Sequence, residues 1–275
     1  MPELPEVETV CRGLRKYALG LKIKDVRVTL PKIINVPAGR FRKNTVGAAI
    51  QDVQRRAKTI NIQLSNSYWL VVHLKMSGQL LYLPKTEPIK KHTHVIFNLS
   101  NGYTLRFWDQ RQFGYMRLFD SPGRLRFMEQ LNFGPEPLEK SFTSECFRGL
   151  LKTRPNSRIK PLLMDQTFIS GIGNLYADEI LFYAKVHPLA RAGALKDIQI
   201  KKIYQGIKQI LALGVKKRGS SIELYVDVSG KPGGFVPYIK AYGREGEACV
   251  RCRMPIKRIK IGARSAYFCP RCQPG

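Results

Sequence analysis

Acidic residues are in short supply: 20 Asp and Glu stand against 47 Lys and Arg, for a net charge of +27 in 275 residues and a pI near 10.1. Such an excess is of use only against a polyanion, through counterion release and steered encounter. Long apolar runs are missing as well. No stretch of 18 or more apolar residues occurs, so a membrane-spanning helix is not expected and nucleic acid is favoured over a membrane as the partner. The N-terminus has no basic-then-apolar leader, which predicts a cytosolic protein. No internal repeat or low-complexity tract is evident, and the length allows one large domain or two ordinary ones. Cysteine is nearly absent before position 249. Cys11 falls on the apolar face of a helical pattern and Cys146 within another, and both read as core thiols.

What is present begins at the first residues, Met-Pro-Glu-Leu-Pro-Glu-Val-Glu. Removal of Met1 would leave Pro2 as a secondary amine beside the Glu3 carboxylate. An α-amino group has a reference pKa of about 8 against about 10.4 for lysine, so part of it is unprotonated near neutrality and able to form an imine. Equally, Pro2 and Pro5 suit the first turn of a helix, and the terminus alone leaves both readings open. From Pro5 to Gly20 the apolar positions Val7, Val10, Cys11, Leu14 and Ala18 follow helical spacing.

The next hundred residues predict strands at 26–30, 60–64, 69–74, 94–99, 103–108 and 115–119, with Asn101-Gly102 as a two-residue hairpin signal. An N-terminal helix followed by a β-sandwich or barrel fits residues 1–133. Gly134-Pro135-Glu136-Pro137 marks a hinge. Residues 134–240 then turn helical, at 142–152, 159–165, 175–184 and 197–213. The last carries an apolar stripe of Ile200, Ile203, Tyr204, Ile207, Ile210 and Leu211, which is core. A glycine-rich loop follows. The whole is an α+β chain closed by a small cysteine module at 241–275.

In that module Cys249-x2-Cys252 and Cys269-x2-Cys272 are separated by sixteen residues. Two such turns present four thiolates to one tetrahedral Zn2+, with room for a β-hairpin between them. Four thiolates leave no open coordination position, so the zinc is structural. Two disulfides would require an oxidising compartment, for which no signal exists. Arg253, Lys257, Arg258, Lys260 and Arg264 between the pairs give the hairpin a DNA-facing character. Upstream, Ser170-Gly171-Ile172-Gly173-Asn174 separates two helical runs, with Asn174 placed to cap the second. By itself this is a helix–turn connection. Beside the charge and the cysteine ribbon it predicts phosphate binding at a helix start.

Together these parts resemble the formamidopyrimidine-DNA glycosylases, bacterial base-excision repair enzymes for oxidised purines. The likeness spans the chain: the opening PELPEVET, Arg-Arg-Ala-Lys at 55–58, His-Leu-Lys-Met-Ser-Gly at 73–78, Asp-Gln-Arg-Gln-Phe-Gly at 109–114, Gly-Pro-Glu-Pro-Leu, Gly-Ile-Gly-Asn and the ribbon. It implies a helical domain with a helix–two-turn–helix element, and double-stranded DNA with damaged bases as the partner of a monomeric, nucleoid-associated enzyme. By this resemblance the Pro2 nitrogen attacks C1′ of a nucleotide turned out of the duplex. Glu3 shuttles protons, and elimination breaks the strand on both sides, assisted by Lys58 and then Arg264. The resemblance makes Met76, Arg111 and Phe113 the side chains that fill the gap, and His92 and Asn156 phosphate contacts, although the Asn156 position is often basic in the family. His92 with His94 forms an HxH lacking a third metal ligand nearby in sequence. Glu6 matches a carboxylate near the site and equally suits a helix first turn. The loop at 220–237 resembles the segment that covers the everted base. Without the resemblance Lys58 and Arg264 read as solvated charges, and Met76 and Phe113 as core. Two further readings remain: the related oxidised-pyrimidine glycosylase, and a lesion-binding zinc protein that does not cut, should Met1 stay in place.

Overall fold

Glu3 and Glu6 open helix α1 (Leu4–Ala18) through a reciprocal capping box, with proline in the first turn. Its Val7, Val10, Cys11, Leu14 and Ala18 are all buried, and Gly20 leaves the helix at φ +77°. Burial pushes the Cys11 thiol up to about 12, so it is an inert core group. The computed structural model describes residues 1–275, which divide into two units: Met1–Leu131 with Lys217–Val236, and Asn132–Lys216 with Pro237–Gly275.

In the first unit α1 is followed by β1 (Ile23–Val28), α2 (Ala38–Thr45), β2 (Ile50–Arg56), β3 (Thr59–Leu64), β4 (Tyr68–His73), β5 (Gln79–Pro84), β6 (Thr93–Leu99), β7 (Tyr103–Trp108), β8 (Tyr115–Asp120) and α3 (Ser121–Gln130). They form two four-stranded antiparallel sheets, ordered β1-β6-β7-β5 and β2-β3-β4-β8. Val53, Ile60, Ile62, Leu70 and Val72 of one sheet and Val95, Phe97, Leu105 and Phe107 of the other share a core with the apolar face of α1. Each large apolar side chain so buried contributes roughly 1.5–3 kcal/mol. The Asn101-Gly102 turn joins β6 to β7 with Gly102 at φ +82°, but Ser100 is part of it too, so the loop has three residues.

The glycine-rich segment 217–236 packs with the first unit. Tyr82 N–H donates to the Val228 carbonyl (2.7 Å), and Gln79 Nε2 donates to the Leu224 carbonyl. Val228 lies so close over α1 that a Cβ at Gly13 would fall 2.4 Å from its methyl group. Glycine at 13 is therefore a packing requirement.

The second unit holds α4 (Ser144–Thr153), α5 (Ile159–Met164), α6 (Asn174–Ala184) and α7 (Asp197–Lys216), then the hairpin β9 (Lys257–Ile261) and β10 (Arg264–Phe268). Ile200, Ile203, Ile207 and Leu211 of the α7 stripe are buried. No helix is long and apolar enough to cross a membrane.

Candidate active site and nucleic-acid interface

The terminus is placed by three tethers between α1 and β2. Arg15 Nε donates to the Val53 carbonyl (2.6 Å), the Cys11 thiol reaches the Gln54 carbonyl (3.8 Å), and Arg55 pairs with Glu8 (3.1 Å). These rungs run helix and strand in opposite directions. A helix advances about 1.5 Å and a strand about 3.3 Å per residue, so the next rung sets the start of α1 over the turn joining β2 to β3. That turn carries Ala57, at φ 53°, and the buried Lys58. Pro2 and Glu3 are buried beside the same helix start.

Glu6 has a wider part than either sequence reading gave it. Its carboxylate accepts from Glu3 N–H and Ser220 N–H (both 2.8 Å), and its carbonyl accepts from the Tyr225 hydroxyl (3.3 Å). Burial, with Glu6 adding to it, raises the Tyr225 pKa and keeps that hydroxyl a donor. The 217–236 segment is thus fastened to the start of α1. The seat is tight: at Gly219, φ +77°, a Cβ would come within 2.8 Å of Glu6.

His73 was not singled out from the sequence. It ends β4 in register with Thr59, next to Lys58, and with Tyr115 at the start of β8. Its Nδ1 accepts from Lys75 N–H (2.9 Å), which fixes the proton on Nε2. Burial, then Lys75 and Lys58, lower its pKa to about 3. The ring is therefore a neutral N–H donor beside a buried lysine, well suited to a phosphate oxygen. The only signal was its place three residues before Met76 in a motif already noted.

Asp109, fully buried, assembles the rest. It accepts from the Ser77 hydroxyl, from Arg111 N–H (3.2 Å) and from Gly114 N–H (2.7 Å). Ser77 Oγ in turn accepts from Arg111 N–H (3.0 Å). One carboxylate so joins the turn bearing Met76 to the loop bearing Arg111 and Phe113. A Cβ at Gly114 would lie 3.0 Å from both the His73 carbonyl and Asp109, which brings that loop to the end of β4. Phe113 stands 57% exposed, with the Arg111 guanidinium 5.1 Å from its ring centre. Phe113 is therefore a surface residue and not the core residue its type alone would indicate. Asp109→Ala would leave up to three donors unsatisfied, at about 1–3 kcal/mol each where buried. We expect a clear fall in Tm; a native Tm in a thermal melt would refute this structural role.

His92, at φ 69°, sits edge-on to Trp108 (6.3 Å), and its carbonyl accepts from Asp109 N–H (3.0 Å). His94 Nε2 is taken up by the Asp109 carbonyl (2.9 Å). Pro2, Glu3, Lys58, His73, Met76, Arg111, Phe113 and His92 all belong to the first unit. Asn156, Asn174 and Arg264 belong to the second. Asn156 is exposed between exposed Arg154 and Arg158. Asn174 is the first residue of α6, and the cap is Gly173. The expected capping by Asn174 is therefore corrected: Gly173 takes the non-helical cap conformation, which leaves the Asn174 Oδ1 buried without a hydrogen-bond partner. Arg264 is exposed at the start of β10.

The four ribbon cysteines place their Sγ atoms within 4.8 Å of one another, including Cys252–Cys269 at 3.4 Å and Cys249–Cys272 at 4.0 Å. Zn–S bonds of about 2.3 Å in a tetrahedron require S···S near 3.8 Å, so the set fits a zinc ion. Arg251 N–H to Cys249 Sγ and Cys272 N–H to Cys269 Sγ (3.4 Å each) supply the N–H···S bonds that stabilise thiolates. This is a structural zinc site.

Three family models match the chain: the formamidopyrimidine-DNA glycosylase N-terminal domain at residues 1–116, the formamidopyrimidine-DNA glycosylase H2TH domain at 133–226, and a zinc finger found in FPG and IleRS at 246–275. The formamidopyrimidine-DNA glycosylase of Pelotomaculum thermopropionicum is 45% identical over 276 residues, covering 99% of both chains. Among solved structures, the complex of Lactococcus lactis Fpg with DNA containing an abasic site superposes with a TM-score of 0.93 at 34% identity, over 99% of this chain and 100% of that one. The complex of the same enzyme with a Fapy-dG containing DNA gives 0.92 at 34%, with the same coverage.

Proposed function

The chain belongs to the formamidopyrimidine-DNA glycosylase family, and on that premise we propose that it excises oxidised purines, 8-oxoguanine and formamidopyrimidines, from double-stranded DNA and then cuts the strand. Excision starts once Met1 is gone. The Pro2 nitrogen attacks C1′, the C1′–N bond to the damaged base breaks, and the base leaves with that electron pair and a proton. Glu3 then gives a proton to O4′ as the C1′–O4′ bond breaks, which opens the ring and forms the iminium, within the reach that general acid–base catalysis requires. Loss of a proton from C2′ then expels the 3′ phosphate, and loss of one from C4′ expels the 5′ phosphate. Lys58 and Arg264 serve these two eliminations chiefly by holding the phosphates. Arginine stays charged and is a poor proton donor, whereas its planar fork suits a phosphate.

Met76, Arg111 and Phe113 enter the duplex where the base has left, the ring and thioether against its neighbours and the guanidinium on the orphaned base. His73, His92, Asn156 and Asn174 hold the backbone, and the 220–237 loop covers the everted base. The zinc ion makes no chemical step and keeps the β9–β10 hairpin in shape. We place the enzyme in the cytoplasm, on the nucleoid, as a monomer.

The observation that carries this reading is the buried Pro2-Glu3 terminus, tethered over the Lys58 turn in the same unit as the exposed Arg111–Phe113 pair. Borohydride trapping on duplex DNA holding 8-oxoguanine tests it: a covalent adduct on the N-terminal residue is expected, and its absence from Met-free protein would end the enzyme reading. Binding should also fall steeply with salt. With about six phosphates neutralised, affinity drops about 10³-fold between about 50 and 200 mM, and a flat response would count against the basic surface as the DNA contact.

A further inference from the structure

Lys160 and Asp178 form an ion pair (2.8 Å) with both side chains 1% exposed. The pair joins α5 to α6, and each partner has a second bond to the same strand. Lys160 Nζ donates to the Ser265 carbonyl (2.5 Å), and Asp178 Oδ2 accepts from Tyr267 N–H (3.1 Å). The two grips hold β10 immediately beyond Arg264, which lines, with Lys160, Pro161, Met164, Asp165 and Ile261, a cavity of about 230 Å³.

Stability is a poor reason for this pair. Burial drives the Asp178 carboxyl up to about 7 even with Lys160 beside it, so desolvation outweighs the attraction, and buried pairs often gain nothing over apolar replacements. Geometry is the better reason. The zinc ligands hold the far end of β10 through Cys269, while nothing in the metal site fixes the end that starts with Arg264. Two directional bonds from buried charges fix strand height and register at that end, and apolar side chains would not.

We propose that Lys160 and Asp178 are positioning residues that hold the Arg264 end of the hairpin for the second elimination, an inference that rests on the role assigned to Arg264 above. The test uses zinc-loaded enzyme on duplex DNA with an abasic site and reads the ratio of product cut on both sides to product cut on one. Lys160→Met/Asp178→Leu removes both grips with compensated volume. It should keep zinc stoichiometry, Tm and trapping yield, lose protection from hydrogen exchange at the Tyr267 amide, and drop the ratio several-fold. Asp178→Asn keeps an acceptor for Tyr267 but removes the negative partner of Lys160, and should fall between; it carries the test if the double variant does not fold. Arg264→Ala is the reference and should drop the ratio furthest. A native ratio in the folded double variant, or in Asp178→Asn if only that one folds, with Arg264→Ala defective, overturns the positioning role alone. A native ratio in Arg264→Ala overturns the role of Arg264 and the proposal with it.

Discussion

Protein that keeps Met1 should form no imine with DNA, and in a mixed preparation the fraction trapped by borohydride should equal the fraction of Met-free chains counted by mass spectrometry. With Met1 in place the Pro2 nitrogen is a tertiary amide without a basic lone pair. The Met1 nitrogen does not replace it, since it is turned to the surface and held 3.0 Å from Glu223 Oε2. Glu3→Gln should separate the chemistry from the fold. The amide keeps the shape of the capping residue but cannot carry a proton, so base excision should fall by about 10²–10⁴-fold, the usual worth of a general acid–base group. Removal of one side of the capping box costs about 1 kcal/mol, too little to unfold a domain of ordinary stability. Native excision by Glu3→Gln, or trapping by Met-retaining chains, would defeat the assignment.

The elements legible in the sequence were those whose burial follows a simple period. The α1 spacing gave its buried face, and 103–108 was delimited as it stands in β7. Strand β2 was passed over because Gln51, Asp52, Gln54, Arg55 and Arg56 surround its two buried residues, Ile50 and Val53. Helix α3 was passed over for a related reason. It buries none of its residues and is held by surface aromatics, Phe127 stacking on Phe119 at 4.9 Å and Arg124 lying 4.0 Å from the Trp69 ring centre. Its N-cap, Asp120, was a local cue but had no apolar period behind it. The site divides in the same way. Pro2, Glu3 and the ribbon cysteines announce themselves by position and spacing. Beside their local bonds, Glu6 reaches Ser220, 214 positions away, Asp109 reaches Ser77, 32 positions away, and His73 stands in register with Thr59 and Tyr115; no local pattern encodes such pairings.

Zinc removal should be the most damaging change outside the terminus. Cys249 and Cys269 are completely buried and pack with Phe182, Ala241 and Ile256, so the metal organises a core that these few apolar side chains could not hold. Structural zinc in such modules is worth about 10–16 kcal/mol at neutral pH, comparable with the 5–15 kcal/mol that stabilises a whole domain. Lost hydrophobic contacts in a cluster this small are worth far less, so the metal term decides. Replacement of Cys249 or Cys269 by Ser should abolish the expected one zinc per chain, measured by elemental analysis, and unfold the hairpin bearing Lys257, Arg258, Lys260 and Arg264. DNA affinity should collapse with it, and the salt slope should become shallower because the phosphate contact proposed for Arg264 would be lost with the charge of its basic neighbours. The first unit should persist with its own thermal transition, since its core uses none of these residues. A zinc-free variant with native DNA affinity and an unchanged salt slope would show that the ribbon folds without its metal.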